Sequence, residues 1–415
     1  MAIRFAHIAD VHLGAFRDAT LREFNLEAFK RCLSECVAAK LDFVIIAGDL
    51  FHVALPDMRV VDEATKAMRA CRDAGLRIYL VYGSHDYSPT ATSVIDVLAS
   101  AGVLCKIHSD DAAHPEIVID APTGARLAGA CARSRGLENG FFEKAAWSEF
   151  EKTAGTKIFV FHSAIDEHKP EFLSRSEGIP LAQFPKGCAY YAGGHVHERA
   201  EIDEAQRGFG RIVFPGPLFS ADYRDLEAAS RHDWGYYVVE IDGARVKTEF
   251  KPIKLVGVIS LEFNVAGKSA SETSAALLEK ASAAGVEVEG KIVLAKVFGE
   301  LREGKPGEID FAGVREAFAE RGARVFYLNR GQLTAREATA QRVEGANKQE
   351  IEERAFAQAS AAFETKNAFL RAEGARVAHE LLRAFSKARD EEAKEKKGDY
   401  EVKMCREAAK ILGID

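Results

Sequence analysis

The sequence predicts an α/β layered domain, a smaller α+β domain after it, and a helical C-terminal arm. Three observations carry this expectation. Strand-like and amphipathic helix-like segments alternate over the first 250 residues, the alternation restarts after Val256, and no strand pattern follows Ala335. Alternation of this kind lays helices against a central sheet.

In order, the spacing predicts strands over Ile3–Ala9, Phe43–Ala47, Ile78–Tyr82, Ile158–His162, Tyr190–Gly193 and Ile212–Pro215. Helices are expected over Leu21–Lys40 and Arg59–Ala74, where apolar residues recur at three- and four-residue spacing. A β-rich stretch, Gly235–Lys254, turns at Asp242-Gly243 and closes a first domain of residues 1–255. Residues 256–333 form the smaller domain: strand Ile259–Val265, helix Glu272–Ala284, strand Lys291–Gly299, helix Phe311–Arg321, strand Ala323–Leu328.

Residues 334–415 form the arm. Phe356, Phe363, Leu370 and Val377 repeat every seventh residue, joined by Ala359, Leu381 and Phe385. That pattern predicts one helix with one apolar stripe. Gly398-Asp399 is expected to end it, with Val402 to Leu412 a second, shorter helix. Two readings stand: a hairpin packing on its own chain, or a docking arm for a partner's helices.

At 415 residues, 47% hydrophobic and 29% charged, the composition is that of an ordinary soluble globular protein. No apolar run is long enough to span a membrane. The opening MAIRFAHIADVHLG enters a strand directly, without the layout of a signal peptide. The seven cysteines are scattered singly, Cys32 and Cys36 one helical turn apart, and with no CxxC pair they suggest neither a disulfide framework nor a zinc finger. A reducing, cytoplasmic compartment is expected. The net charge of −7 does not favour nucleic acid, so a nucleic-acid enzyme of this composition needs a local basic surface.

The chemistry gathers at strand ends. "IADVHLG" supplies Asp10 and His12; "IAGDLFH" supplies Asp49 and His52; "VYGSHD" supplies Ser84, His85 and Asp86. "FVFHS" supplies His162, and "YAGGHVH" supplies His195 and His197. Loops beyond the carboxyl ends of strands are where open α/β sheets bind ligands. Each piece alone is weak, since a lone strand-end histidine is usually structural. Five strands delivering His or Asp to one edge are not explained that way. Imidazole and carboxylate without thiolate suit manganese, iron or zinc. The donors are too many for one catalytic ion and about right for two, roughly 3.5–4 Å apart, sharing a carboxylate.

This set of motifs resembles the calcineurin-like metallophosphoesterases, and "DVHLG" and "GDLFH", with the small domain and tail, are similar to SbcD-type nucleases of DNA double-strand-break repair. The resemblance implies a layered metallophosphoesterase sandwich with an α+β capping domain. It implies that Asp10, His12, Asp49 and His197 hold one ion, and that Asp49 bridges to a second ion met by residue 84, His162 and His195. It further implies that His85 sits over the scissile phosphate, that Asp86 orients His85, and that His52 positions the substrate phosphate. Two divalent ions, most readily Mn2+, would activate a water and neutralise phosphate charge, leaving a histidine near its free pKa to protonate the leaving oxygen.

By the same resemblance the protein is a 3′–5′ exonuclease on duplex ends and an endonuclease on single-stranded DNA. It would be a homodimer through Arg59–Ala74 and Thr92–Ala101, its arm docked on an SMC-like ABC ATPase. The family pattern most often has Asn at position 84. Ser84 leaves three readings open: weak or water-mediated coordination, direct binding after a loop shift, or loss of the second ion in a non-catalytic scaffold. A phosphomonoesterase or cyclic-nucleotide phosphodiesterase on the same site is a further alternative, though it leaves the small domain and tail unexplained.

Other residues carry less. His7 reads as a core histidine and His168 as a loop histidine; His108, His114, His232 and His379 read as solvated. Arg17, Arg133, Arg135, Arg175 and Arg224 are candidates to rim a cleft and touch DNA backbone.

Overall fold

The structure, a computed structural model, describes residues 2–87, 92–109, 111–132, 138–335, 348–362, 367–386, 397–412 and 414. The chain divides into two compact units, Met1–Ala335 and Arg336–Asp415.

In chain order the first unit begins with β1 (Ile3–Ile8), α1 (Ala19–Ala38), β2 (Phe43–Ala47), α2 (Met58–Asp73), β3 (Arg77–Val81), α3 (Val94–Ser100), β4 (Cys105–Lys106), β5 (Val118–Ile119) and β6 (Arg126–Ala130). It continues with α4 (Glu138–Phe142), α5 (Ser148–Lys152), β7 (Lys157–His162), β8 (Tyr190–Gly194), β9 (Ala200–Asp203), β10 (Arg211–Phe214), α6 (Tyr223–Ala229), β11 (Gly235–Asp242) and β12 (Arg245–Pro252). Two six-stranded sheets result, in the orders β12-β11-β1-β2-β3-β4 and β5-β6-β7-β8-β10-β9. Strands β1 to β4 are parallel, as are β6, β7, β8 and β10; the antiparallel strands lie at the edges.

The sequence explains the layering. FVIIA in β2 and KIFVFH in β7 are buried at every residue. Continuous burial is what a central parallel strand covered on both faces demands. Between the sheets, Phe5 meets Tyr190 edge-on at 5.4 Å. His7 joins this layer, its Nδ1 2.9 Å from the Tyr190 hydroxyl, and burial lowers its pKa to about 3. It is a neutral core histidine. Helix α1 packs on the first sheet through Phe29, Cys32, Leu33 and Cys36. The outer face of the second sheet is covered by Phe142, Trp147, Phe150 and Phe184. Each such buried ring contributes about 1.5–3 kcal/mol.

The smaller sheet contains β13 (Val258–Asn264), β14 (Ile292–Leu301) and β15 (Val325–Ala335), all parallel, joined by α7 (Ala270–Ser282) and α8 (Phe311–Glu320). A Ser269–Glu272 capping box starts α7. Its own core includes Leu277, Val293, Val297, Val314 and Phe318. Strand β15 runs on to Ala335, past the predicted end at Leu328.

The second unit holds α9 (Lys348–Ala362), α10 (Ala368–Phe385) and α11 (Lys397–Leu412). The single stripe predicted from Phe356 to Phe385 is therefore split over two helices. The reason is Asn367, whose side chain accepts from the amides of Phe369 and Leu370 and starts α10 afresh. Phe356 lies edge-on to His379 at 6.2 Å, so α9 and α10 pack on one another. Phe363 lies outside the described residues. Gly398-Asp399 opens α11 rather than breaking a helix. No described helix is long and apolar enough to cross a membrane.

Candidate metal centre

Backbone conformation marks the site before any side chain does. Five non-glycine residues among those described have positive φ, and four are predicted ligands: Asp10 (51°), His12 (48°), Asp49 (53°) and His195 (83°). Such conformations cost on the order of 1–3 kcal/mol each and persist where the surroundings enforce them. Here the loops after β1 and β2 enforce them by running on side by side. His12 N–H donates to the Asp49 carbonyl at 2.9 Å, Leu13 to Leu50 at 2.9 Å, and His52 to Leu13 at 3.1 Å.

Two glycines let these loops meet. A Cβ on Gly83 would stand 2.1 Å from Asp49 Oδ1, and one on Gly194 would stand 1.9 Å from the Ala47 carbonyl oxygen. The glycines of "GSHD" and "GGHVH" are close-approach residues.

The side chains converge as follows. Asp49 Oδ2 lies 3.3 Å from His162 Nε2, 3.5 Å from His12 Nε2 and 3.4 Å from Ser84 Oγ. Asp10 Oδ1 lies 4.0 Å from His197 Nε2, and His12 Nε2 is 3.3 Å from His197 Nε2. Two groups thus have ligand atoms mutually within 4.8 Å: Asp10, His12 and His197, and Asp10, Asp49 and His162. A third contains His12, His52 and His85. In it the His52 and His85 rings stack at 5.2 Å, and His85 stands edge-on to His12 at 4.8 Å.

Hydrogen bonds behind the rings fix which nitrogen faces inward. His162 Nδ1 is 2.8 Å from the Ala47 carbonyl, an acceptor only, so Nδ1 carries the proton and Nε2 is turned to Asp49. His197 Nδ1 lies 3.0 Å from both carboxylate oxygens of Asp225. His85 Nδ1 is 2.6 Å from the His52 carbonyl. A histidine that donates from one nitrogen to carbonyl or carboxylate presents the other as a ligand.

The electrostatics call for a cation. Burial opposes ionisation of Asp49, yet His162 and His12 hold its carboxyl well below the usual range. Burial likewise opposes charge on His162, but Asp49 outweighs it and pushes the ring up to about 10. Burial pulls His197 down; Asp225 and Asp10 win and raise it to about 9. Burial lowers His195 to about 4, leaving it neutral. His162 Nε2 and His12 Nδ1 are buried without a well-directed hydrogen bond, a cost of about 1–3 kcal/mol each unless something else pairs them. Two carboxylates and several imidazoles around unpaired nitrogens fit divalent ions of the manganese–iron–zinc class.

Some expectations need correction. Asp86 does not orient His85. Its buried carboxylate accepts from the amides of Gly83 (3.0 Å), Phe51 (3.2 Å) and Leu50 (3.3 Å), tying the second and third strand-end loops together, while the His52 carbonyl holds His85. His195 meets the centre differently from His162: its N–H donates to Asp10 at 2.9 Å, and its ring lies 5.3 Å from that of His162. His108 is not freely solvated; its Nδ1 is 3.1 Å from Cys131 Sγ. His379 is half-buried against Phe356. His168 pairs with Glu204 at 2.8 Å. Arg17, Arg175 and Arg224 are exposed, and Arg133 and Arg135 lie outside the described residues. Asp225 was missed altogether, because it sits on helix α6 with no motif around it.

A fold of two facing sheets with an Asp/His cluster at the strand ends defines a metal-binding hydrolase-like domain. Residues 3–199 match the calcineurin-like phosphoesterase family model. The chain is 30% identical over 268 residues to the "DNA double-strand break repair protein Mre11" of Methanopyrus kandleri, covering 61% of this chain and 57% of that protein. It is 26% identical over 256 residues to the protein of the same name from Archaeoglobus fulgidus, covering 55% of this chain and 53% of that one. The match thus spans little more than half the length of these relatives. Among solved structures, a dimetal phosphatase from Danio rerio aligns with a TM-score of 0.40 and 10% identity, over 60% of this chain and 96% of that one.

Proposed function

We propose that the protein is a two-metal DNA nuclease of the SbcD type. The observation that carries this reading is the stacked His52–His85 pair standing beside the Asp10, His12, Asp49, His162 and His197 cluster. Asp10, His12 and His197 would hold one ion; Asp49, His162, His195 and Ser84 would serve the second, with Asp49 between the two. Manganese, when bound, would supply an activated water and neutralise phosphate charge.

The chain's own residues do the rest. His85 keeps an N–H on Nδ1, toward the His52 carbonyl, so Nε2 faces away from that bond, and the doubly protonated ring can give its Nε2 proton to a leaving alkoxide and return to the neutral Nδ1–H form. His52 stands beside it to position the phosphate. Asp86 keeps the loops that carry Asp49 and His85 in register.

DNA as substrate is supported by the relatives' names and by exposed Arg17 and Arg175, whereas Arg224 is already paired with Asp222 at 3.1 Å. On this reading residues 1–255 are the nuclease domain, 256–333 the capping domain and 334–415 the arm for an SMC-like ABC ATPase. Exposed Phe369, Phe385 and Val402 suit such a helix-docking surface. Exposed Leu55, Met58 and Val97 suit a homodimer through α2 and α3. Activity would be 3′–5′ exonucleolytic on duplex ends and endonucleolytic on single strands, in the cytoplasm.

The test is digestion of end-labelled duplex and circular single-stranded DNA with manganese, with magnesium and with chelator, beside p-nitrophenyl phosphate esters. Manganese-dependent cleavage of DNA supports the proposal. Hydrolysis of the small esters with DNA left intact overturns it in favour of a small-molecule phosphoesterase.

A further inference from the structure

The small three-stranded sheet packs on the main domain through Ile292, Leu294 and Val325, and beside them one aromatic ring, Tyr327, leads to both histidines of one half-site. Tyr327 of β15 stacks on Tyr223 with ring centroids 6.1 Å apart and planes 28° apart. The same ring stands edge-on to Phe16 at 6.0 Å. Each neighbour is joined to a different histidine. Phe16 follows the turn closed by the Ala15 amide on the His12 carbonyl at 3.0 Å. Tyr223 opens α6, which Asp222 caps by accepting from the Asp225 amide at 3.0 Å. Ala221 N–H donates to Asp225 Oδ2 at 2.8 Å, and Asp225 holds His197 Nδ1 at 3.0 Å. His12 and His197 then face each other across 3.3 Å.

We infer that Tyr327 is a positioning residue of the metal centre: its ring, seated against both Phe16 and Tyr223, sets the separation of His12 and His197 and so the affinity of the ion they share. Phe16 and Tyr223 come from separate segments of the chain, and the Tyr327 ring contacts both. The His162 side of the centre is braced from within, by the Ala47 carbonyl and Gly194, and owes nothing to Tyr327. The inference rests on the two-metal reading and adds a dependence that reading does not contain.

The experiment is calorimetric titration of the full chain with manganese alone, for wild type, Tyr327→Phe and Tyr327→Ala, with thermal unfolding followed in parallel. Two aromatic contacts of this kind together correspond to roughly tenfold in the equilibrium they bias. Tyr327→Phe keeps both ring contacts and is expected to bind as wild type. Tyr327→Ala is expected to weaken one of the two ions by about that factor while the other is unchanged. Equal affinities in all three proteins, or equal weakening of both ions in Tyr327→Ala, overturn the inference and leave the two-metal reading standing. A wild type that takes up no ion overturns both.

Discussion

The Asp225 carboxylate grips His197 Nδ1 with both oxygens at 3.0 Å, and the other nitrogen of that ring faces His12 at 3.3 Å. The pair holds the imidazole in the tautomer and orientation that a ligand needs. Asp225→Asn removes the charge and retains the shape. It is expected to weaken manganese binding by 10–100-fold, the usual effect of losing such a partner, with little change in thermal stability. Unchanged affinity by calorimetry would show that His197 is not a ligand.

Ser84 Oγ reaches Asp49 Oδ2 at 3.4 Å and is exposed. A hydroxyl on a short stem is a poorer metal donor than an amide carbonyl. Ser84→Asn should tighten the second ion by about tenfold and raise cleavage at limiting manganese. Equal affinity would mean that position 84 makes no contact with the ion.

Gly194 admits no side chain. A methyl group there would meet the Ala47 carbonyl at 1.9 Å and His162 Nδ1 at 2.8 Å. Gly194→Ala is expected to cost about 1–3 kcal/mol of stability through overpacking and to abolish activity by displacing His162. Retained activity at wild-type stability would contradict the close approach.

A pH effect is expected far from the centre. Asp120 is buried and receives Arg77 Nη2 at 3.2 Å, Tyr79 Oη at 2.8 Å and the Thr123 hydroxyl at 2.6 Å. Burial opposes its ionisation, but Arg77, Thr123 and Tyr79 outweigh it and lower its pKa. A carboxyl lowered in the folded state contributes stability above its unfolded pKa of about 3.9 and loses it as pH falls through the folded value. Asp120→Asn should therefore destabilise by about 1.5–3 kcal/mol at pH 7, with the difference from wild type shrinking below about pH 4. A difference that stays constant down to pH 2 would sink the assignment.

The strand ends were legible in the sequence: Asp10, Asp49 and His85 each follow an apolar strand and a small residue, and His162 is the last residue of its strand. The strands β4, β5, β6 and β9 were not. They are two to five residues long, and RLAGA in β6 lacks the branched residues that announce a strand. Asp225 was invisible because its partner lies 28 positions away on another element. The Asp86 role was misjudged because sequence adjacency to His85 stood in for contact, whereas the carboxylate turns back to the amides of Phe51 and Gly83. The stripe from Phe356 to Phe385 misled because its period of seven carries on across the helix start at Asn367.

The central claim is that two ions and His85 have separable roles in cutting DNA. The measurement is the manganese content per chain of dialysed wild type, Asp49→Asn and His85→Ala, taken with cleavage of end-labelled duplex by the same samples. The account predicts two ions and cleavage in wild type, fewer ions and no cleavage in Asp49→Asn, and two ions without cleavage in His85→Ala. A His85→Ala protein that still cuts, or a wild type that cuts while holding one ion, would contradict it.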